Sequence, residues 1–284
     1  EEHPSSIAWD GCNSMGMVTG TNAMKRCIEK ARETGCCFVA VNHSNHFGMA
    51  SYYVKMGAEA GMVTFSGTNA PPNIAPWGSS KSFVGTNPLA IAVPTHGEPM
   101  LLDMAPSVVA MGKVILAAKL GKTIPEGWAQ TADGKPTTYP KEGMKGTVLP
   151  IGGPKGYGLS LFMDVLCGVL GDAEYGPHIN NMWNDFENPQ NVGHVFCCID
   201  ISKFVDLEHF KDRMQMMVKE IKDFFAQAYA YQKVDFHLEK NIRYESMKAV
   251  FSKKARVFVH ANRANEITDA IYFFDEYNIE LVLV

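Results

Sequence analysis

The chain has 284 residues, of which 46% are hydrophobic and 20% are charged, and its formal net charge is −4. This composition is typical of a globular protein with a sizeable core, and it excludes a disordered chain. The sequence contains no basic stripe that would indicate nucleic-acid binding and no apolar run of membrane-spanning length. The first residues lack the charged and apolar regions of a signal peptide, so we expect a cytoplasmic protein without a membrane partner.

Helix-like and strand-like patterns alternate along the first part of the chain. Thr21 is expected to cap a helix that runs to about residue 34 and ends at Gly35. The next predicted elements are a strand over 37–41, a helix over 49–60 and a strand over 62–66. The order strand, helix, strand predicts a βαβ-like unit and an α/β fold.

The later part of the chain continues this alternation around one long loop. The predicted elements are strands over 89–93 and 100–102, a helix over 107–120, a loop over 122–153, a helix over 156–170, a strand over 195–201 and an amphipathic helix over 207–225. The helix over 156–170 is apolar on nearly every side, so we expect it to be buried. A loop as long as 122–153 usually covers a site or makes a subunit contact.

A polar loop with two histidines follows the first predicted strand, with the sequence Asn42-His43-Ser44-Asn45-His46-Phe47-Gly48. Histidine titrates near neutral pH, so one held at a strand end can take a proton from a hydroxyl group and return it. Gly48 allows the backbone to turn the ring of His46 inward, which favours His46 over His43 as an acid/base. The alternative for either residue is a solvated or turn-capping histidine.

A glycine-rich segment with a lysine opens the predicted helix over 156–170, with the sequence Gly152-Gly153-Pro154-Lys155-Gly156-Tyr157-Gly158. Free amide N–H groups and the helix dipole favour an anion at such a position, so a phosphate group is a candidate ligand. The segment is neither a Walker A loop nor a GxGxxG motif that follows a strand. The alternative is a glycine-rich turn with Lys155 on the surface.

Seven cysteines form an odd set without CxxC spacing: Cys12, Cys27, Cys36, Cys37, Cys167, Cys197 and Cys198. Both adjacent pairs lie in apolar, strand-like runs. We therefore interpret the cysteines as small buried hydrophobic residues in a reducing compartment. Neither a disulfide framework nor a metal site is expected.

Six further motifs follow the histidine loop: Thr68-Asn69-Ala70-Pro71-Pro72, Ala75-Pro76-Trp77-Gly78, Gly85-Thr86-Asn87-Pro88-Leu89-Ala90-Ile91-Ala92, Leu102-Asp103-Met104-Ala105-Pro106-Ser107, Ile124-Pro125-Glu126-Gly127-Trp128-Ala129 and Gly152-Gly153-Pro154-Lys155-Gly156-Tyr157-Gly158-Leu159. In this order and at these separations they resemble the malate/L-lactate dehydrogenase family of NAD(P)-dependent 2-hydroxy acid oxidoreductases. The resemblance runs from about residue 7 to about residue 225. This family is distinct from the Rossmann-fold lactate and malate dehydrogenases.

The resemblance implies an α/β fold with a non-Rossmann dinucleotide-binding domain, NAD or NADP as the cofactor, and a homodimer. The implied substrate is a small 2-hydroxy acid such as malate or L-lactate, and His46 matches the family's acid/base histidine. The implied cofactor contacts are Asp103, Met104, Ala105, Pro106, Pro154 and Lys155, and the implied substrate-binding residues are Asn69, Thr86 and Asn87. Considered without the family, Asp103 is also a candidate end-of-strand cap, and the three polar residues are also candidate turn residues.

The last part of the chain departs from the family pattern. We expect residues 1–225 to form the catalytic and NAD(P)-binding region, without the family's amino-terminal segment and its SHGxxR-type motif. Residues 226–284 are expected to form a foreign tail. Within it, 256–284 resembles one βαβ piece of an imidazolonepropionase-like amidohydrolase barrel, in which His260 matches a metal ligand. One histidine cannot make a zinc site, so we expect a structural role for His260 and no bound metal.

Two alternative functions stay open from the sequence. A catalytically inactive, truncated or chimeric fragment would keep the cofactor scaffold and act at most as a subunit-interaction module. An amidohydrolase activity would depend on the tail alone, which lacks the other strands and ligands of such a barrel. Protection by nucleotide, measured with and without turnover, distinguishes the inactive fragment from an active dehydrogenase.

Overall fold

The computed structural model describes residues 1–182, 184–234, 239–255, 257–259 and 264–283. These residues fall into two compact units, Glu1–Leu207 and Glu208–Val284. The tail histidine His260 lies outside the described residues. The domain division at residue 225, which followed the extent of the family resemblance, stays a prediction.

In chain order, the strands are β1 (Ser6–Asp10), β2 (Cys36–Ser44), β3 (Met62–Thr68), β4 (Leu89–Val93), β5 (Met100–Met104), β6 (Ala129–Gln130), β7 (Pro136–Thr137), β8 (Thr147–Val148), β9 (Val192–Asp200), β10 (Val257–Val259) and β11 (Leu281–Leu283). The helices are α1 (Gly16–Thr34), α2 (Ala50–Glu59), α3 (Met111–Lys119), α4 (Pro140–Lys145), α5 (Pro154–Asp164), α6 (Leu207–Gln232), α7 (Ile242–Glu245), α8 (Lys248–Phe251) and α9 (Ala264–Glu276). A π-helical turn, Val165–Val169, continues α5.

A six-stranded sheet with the order β1-β2-β9-β3-β4-β5 forms the centre of the first unit. Strand β9 is antiparallel to both β2 and β3, so β2 and β3 run in the same direction. The predicted strand–helix–strand unit is therefore present, but a strand from much later in the chain lies between its two strands. The sequence did not predict this insertion, because pairing between distant segments leaves no local periodic pattern.

Helix α1 begins at Gly16 and not at Thr21. The hydroxyl of Thr21 donates to the carbonyl of Met17 at 2.7 Å, as a threonine inside a helix does, so the predicted cap was wrong. The predicted end of the helix is confirmed. Gly35 has a φ of +91°, and its N–H donates back into the last turn of α1.

Successive residues of β2 face two different hydrophobic clusters. Val39 and Val41 are buried with residues of α1 and α2 on one face of the sheet. Phe38 and Ala40 pack with Met163 of α5 on the opposite face. Because side chains alternate along a strand, β2 is covered on both faces, as central strands of α/β folds are.

Helix α5 and the π-helical turn after it bury only one of their sides. Met163 and Cys167 are buried, whereas Phe162 is 67% exposed and Val169 is 60% exposed. The expectation that the helix over 156–170 is buried on all sides was therefore wrong. An apolar side chain is buried only where a partner surface exists, and within the first unit the sheet covers one side of this helix.

The predicted loop over 122–153 contains regular structure, so this prediction was also wrong. Strands β6, β7 and β8 form a small antiparallel sheet. This part of the chain has a hydrophobic core of its own, which contains Val114, Ile124, Ala129 and Val148. Its strands are two residues long, which is too short to give an alternating pattern in the sequence.

The second unit contains β10 and β11, which pair in parallel and are connected through α9. The βαβ order predicted for this segment is thus present among the described residues. The core of the unit contains Phe274, Tyr277 and Ile279, which pack with Phe225 and Tyr229 of α6. The resemblance of the segment to an amidohydrolase barrel stays a prediction.

The cysteines are free thiols. Those that are buried are Cys27, Cys37, Cys167 and Cys198. Cys12 and Cys36 are exposed, so the expectation of buried residues was wrong for these two. In the described parts of the chain, no helix has the length and apolarity needed to cross a membrane.

Gly57 allows α2 to lie directly on β3. A Cβ added at Gly57 would be 2.1 Å from Cγ2 of Thr64, whereas a Cβ added at Gly112 of α3 would meet nothing within 4 Å. We expect Gly57→Ala to lower the free energy of unfolding by about 1–3 kcal/mol through overpacking. The control Gly112→Ala should leave it unchanged or raise it by up to about 1 kcal/mol. Chemical denaturation measures both, and equal stability of the two variants would show that Thr64 moves aside without cost.

Candidate active site

His46 lies in the loop between β2 and α2, and it is exposed. Its backbone N–H donates to Oε1 of Gln190 at 2.9 Å, and its Nδ1 accepts a 3.3 Å hydrogen bond from the N–H of Gly48. Gly16 at the start of α1 lies against the same loop, since a Cβ there would be 1.9 Å from the carbonyl oxygen of Asn45. The loop backbone is therefore fixed from two sides, while the imidazole stays accessible.

The rival candidate, His43, lines a cavity of about 440 Å³. Its Nδ1 lies 3.0 Å from Oδ1 of Asp10. The backbone N–H of Cys12 and then the His43 ring hold the pKa of Asp10 below its usual value. Asp10 and Glu174 both line this cavity and His46 does not. Two carboxylates disfavour an anionic acid as a ligand, so the cavity is poorly suited to a 2-hydroxy acid.

His194, which was not predicted as a site residue, is fully buried in β9. Its Nε2 lies 2.8 Å from Oγ of Ser44, and its Nδ1 lies 2.8 Å from Oγ1 of Thr68. Burial lowers its pKa to about 3, so the imidazole is uncharged at neutral pH. A lone histidine in the apolar run of β9 was a signal for a buried polar residue, although it does not identify the partners.

Asn69, a predicted substrate-binding residue, is buried at the end of β3. Its side chain donates to the carbonyl of Glu174 at 2.7 Å and accepts from the N–H of Gly193 at 2.9 Å. The two partners lie 105 and 124 positions away in the chain, so Asn69 does not act as a turn residue that satisfies its own backbone, which was the alternative role. Asn69 thereby connects the loop after β3 to the start of β9.

Asn87 is also buried, and its side chain binds the backbone of two other segments. It accepts from the N–H of Ala70 at 3.0 Å and donates to the carbonyl of Ser160 in α5 at 2.8 Å. The structure thus brings the Asn69 loop, the Asn87 loop and α5 together. Thr86, the third predicted substrate residue, is half-buried beside Asn87.

A buried carboxyl group, Asp164 at the end of α5, was likewise not predicted as a site residue. Its Oδ2 accepts from the N–H of Gly176 at 3.1 Å, and its Oδ1 has no hydrogen-bond partner among the described residues. Burial raises the pKa of Asp164 to about 6. The signal in the sequence was a single aspartate in the apolar run of α5.

The two predicted cofactor segments, 103–106 and 154–155, are adjacent in the structure. The N–H of Ile151 donates to the carbonyl of Pro106 at 3.0 Å, and the N–H of Val108 donates to the carbonyl of Leu149 at 2.8 Å. These backbone contacts place the chain after β5 beside the start of α5. Segments that are distant in the sequence therefore meet where the phosphate-binding candidate was predicted.

Lys155 is exposed in the first turn of α5, next to Pro154. Gly152 and Gly153, immediately before the helix, have φ values of +60° and +65°. No side chain caps this helix start. The geometry fits a phosphate group of a dinucleotide, because uncapped N–H groups and a lysine are both available to an anion.

Asp103 accepts a 2.9 Å hydrogen bond at Oδ2 from the N–H of Ser51, in the first turn of α2. It therefore binds a backbone N–H at the start of another element, which differs from the end-of-strand cap that was the alternative for it, and its contact with the cofactor stays a prediction. Met104 and Ala105 are half-buried, and Pro106 is buried. Since α2 directly follows the His46 loop, Asp103 connects the predicted cofactor segment to the element that carries the predicted acid/base.

A family model described as malate/L-lactate dehydrogenase matches residues 1–248. The chain belongs to this family. The match extends beyond residue 225, where the motifs of the family were expected to end. The family assignment agrees with the non-Rossmann α/β fold described above.

Named relatives and solved structures are similar to this chain in sequence and in fold. The malate dehydrogenase of Pyrococcus abyssi is 46% identical over 230 residues, which cover 78% of this chain and 63% of the relative. The malate/(S)-sulfolactate dehydrogenase of Methanothermus fervidus is 40% identical over 223 residues, which cover 78% and 66%. The solved sulfolactate dehydrogenase from Methanocaldococcus jannaschii has a TM-score of 0.73 at 31% identity and covers 99% of this chain and 78% of its own. The chain thus spans about 63% of the length of the first of these relatives.

The raised pKa of Asp164 predicts how the free energy of unfolding depends on pH. Its pKa is raised from 3.8 to about 6 in the folded state, so its charged form disfavours folding above that pH. We expect Asp164→Asn to raise the free energy of unfolding at high pH by up to about 3 kcal/mol, because one pKa unit corresponds to about 1.4 kcal/mol. The gain should decrease as the pH falls from about 6 toward 3.8, where the folded parent protonates this carboxyl group.

Urea denaturation over this pH range, with each variant compared with the parent at the same pH, measures the effect. Asp172→Asn, at an exposed aspartate, is the control and should not reproduce it. His194 changes stability in the opposite direction. Its pKa is lowered from 6.5 to about 3 in the folded state, so the free energy of unfolding decreases as the pH drops through that range. A gain for Asp164→Asn that does not vary with pH would contradict the prediction.

Proposed function

We propose that this chain is the catalytic and cofactor-binding part of an NAD(P)-dependent oxidoreductase that acts on a small 2-hydroxy acid, such as malate or L-lactate, and on the corresponding 2-oxo acid. The adjacency of segments 103–106 and 154–155 beside the loops that carry His46 and Asn69 is the observation that supports this function most directly. The names of the relatives, malate and sulfolactate dehydrogenases, support the same substrate class. A homodimer is proposed from the family resemblance.

NAD or NADP, when bound, supplies the hydride acceptor and donor. Lys155 would contact a phosphate group of this cofactor, and the uncapped start of α5 would add backbone N–H donors. Pro154 shapes this helix start, and Met104 and Ala105 would contact the cofactor from the neighbouring segment. Asp103 would act through its cap on α2, because its carboxylate is already bound to the N–H of Ser51.

His46 would exchange the proton of the substrate hydroxyl group. In the oxidation direction a neutral imidazole takes this proton, and in the reduction direction an imidazolium returns it. Thr86, half-buried beside Asn87, is the candidate for a direct hydrogen bond to the substrate. Asn69 and Asn87 would orient the substrate by fixing their loops, since their own side chains are occupied by backbone groups.

The experiment that tests the function measures cofactor binding and turnover together. Thermal unfolding is followed with and without NADH or NADPH. Oxidation of the cofactor is followed in the presence of the 2-oxo acid that corresponds to malate or to lactate. We expect the cofactor to raise the unfolding temperature and the 2-oxo acid to be reduced. Protection without turnover would support the inactive scaffold instead, and the absence of protection would contradict both.

We expect His46→Ala to lower turnover by about a hundredfold or more and to leave dinucleotide affinity nearly unchanged, because general acid/base catalysis contributes at least that much. His43→Ala, at the histidine near the end of β2, is the matched control, and it should retain turnover. Steady-state kinetics and calorimetry give the two quantities. A loss in His43→Ala and not in His46→Ala would transfer the role to the His43–Asp10 pair.

We expect Lys155→Met to weaken binding of the dinucleotide by about 1.5–3 kcal/mol, the usual contribution of a hydrogen bond to a charged group. Lys122→Met, at another exposed lysine, is the control and should bind normally. Calorimetric titration with NADH and NADPH measures both variants. Unchanged binding in Lys155→Met would show that the glycine-rich segment is only a structural turn.

A further inference from the structure

His194 connects the ends of the two strands that lead into the His46 and Asn69 loops. It is the register partner of Val41 in β2 and of Thr68 in β3. Its ring reaches Oγ of Ser44 on one side and Oγ1 of Thr68 on the other, each at 2.8 Å. One buried side chain therefore contacts both strand ends from which the predicted site loops begin.

The hydrogen bonds around His194 have a defined direction. Oγ1 of Thr68 lies 3.0 Å from the carbonyl oxygens of Asn69 and Gly193, so its hydroxyl group donates to a carbonyl. Oγ1 of Thr68 therefore accepts from Nδ1–H of His194, and the unprotonated Nε2 accepts from the hydroxyl group of Ser44. A protonated ring would donate at both nitrogens, so Ser44 would have to accept where it donates to the neutral ring. Burial preserves the neutral form by lowering the pKa of His194 to about 3.

A stack of rings transmits the position of His194 to the His46 loop. The ring of Phe47 lies 4.6 Å from the ring of His194, with an interplanar angle of 11°, and 4.8 Å from the ring of Tyr53. The hydroxyl group of Tyr53 donates to the carbonyl of Phe47. Because Phe47 directly follows His46, the backbone of His46 is anchored by a side chain held between two buried rings.

The segment just before β9 holds both the end of β2 and the His46 loop. Gln190 accepts from the N–H of His46 at 2.9 Å, and Asn191 accepts from the N–H of His43 at 3.1 Å. These contacts and those of His194 all come from one continuous stretch of chain. A displacement of His194 would therefore move the end of β2 and the backbone of the His46 loop.

We propose that His194 is a positioning residue for His46: its uncharged ring sets the distance between the His46 loop and the Asn69 loop through Ser44 and Thr68. The proposal rests on the proposed function, in which His46 exchanges a proton with the substrate. His194 does not touch the substrate in this scheme. It affects the reaction by fixing where the imidazole of His46 meets the hydroxyl group.

The two ring nitrogens of His194 can be tested separately with amide side chains. An asparagine amide reaches the position of Nδ1, so His194→Asn keeps a donor for Thr68 and loses the acceptor for Ser44. A glutamine amide reaches the position of Nε2, so His194→Gln keeps an acceptor for Ser44. Both variants lose the ring that stacks on Phe47, and both place a neutral polar group in the core.

We expect His194→Asn to lower kcat by about tenfold or more, because a small displacement of a catalytic group has a large effect on rate. The KM for the 2-oxo acid and the Kd for NADH should change by less than about threefold, since ground-state binding does not involve this contact. His194→Gln should recover part of the lost kcat, because it restores the contact with Ser44 but not the ring that stacks on Phe47. Urea denaturation of both variants separates this effect from stability. Equal kcat in the two variants, or a loss that follows their stability alone, would overturn the proposal.

A second measurement does not depend on turnover. The chemical shift of the imidazole C2 proton of His46 is compared by NMR at one fixed pH. We expect this chemical shift to change in His194→Asn and in Ser44→Ala, because the ring of His46 then has different surroundings, and to return toward that of the parent in His194→Gln. A chemical shift that is identical in all four proteins would overturn the positioning role. A parent without turnover, combined with these shifts, would contradict the proposed function and support the positioning role.

Discussion

The pairing of β9 with both β2 and β3 is the constraint on which the rest of the site depends. A strand in the middle of a sheet uses its backbone hydrogen bonds on both edges, so the register of both neighbours is fixed by the same residues. Because β9 is antiparallel to its neighbours, it begins where β2 and β3 end. Gln190 and Gly193 are therefore placed to bind the loops that follow those strands, at His46 and at Asn69.

The predictions from sequence were correct where the signal is local. The strand over 89–93 coincides with β4, and Gly35 ends α1 in the left-handed conformation that glycine favours. Thr21 was misassigned because a threonine that caps a helix and a threonine inside one can occupy the same apolar pattern. The sheet of β6, β7 and β8 was missed because strands of two residues have no period, and its stability comes from a tertiary core.

For the site, motifs identified residues on loops but not the buried groups that hold those loops. His46 and Lys155 lie at element ends, where a polar residue is conspicuous in the sequence. His194 and Asp164 are single polar residues in apolar runs, and this pattern indicates a buried group without identifying its partner. The partners, Ser44 for His194 and Gly176 for Asp164, depend on tertiary structure. The contact of Asp103 with the start of α2 could not be predicted for the same reason.

The position of β9 also affects how the chain folds. The hydrogen bond between His194 and Ser44 joins residues that are 150 positions apart. Until β9 has been synthesised, the facing edges of β2 and β3 have unpaired N–H and C=O groups, which can pair with other chains. Contacts between such distant segments form slowly, because the intervening loop must first be closed. The facing edges of β2 and β3 are therefore covered in the same late step that gives the two loops their native separation, and a nascent chain exposes these edges until its site forms.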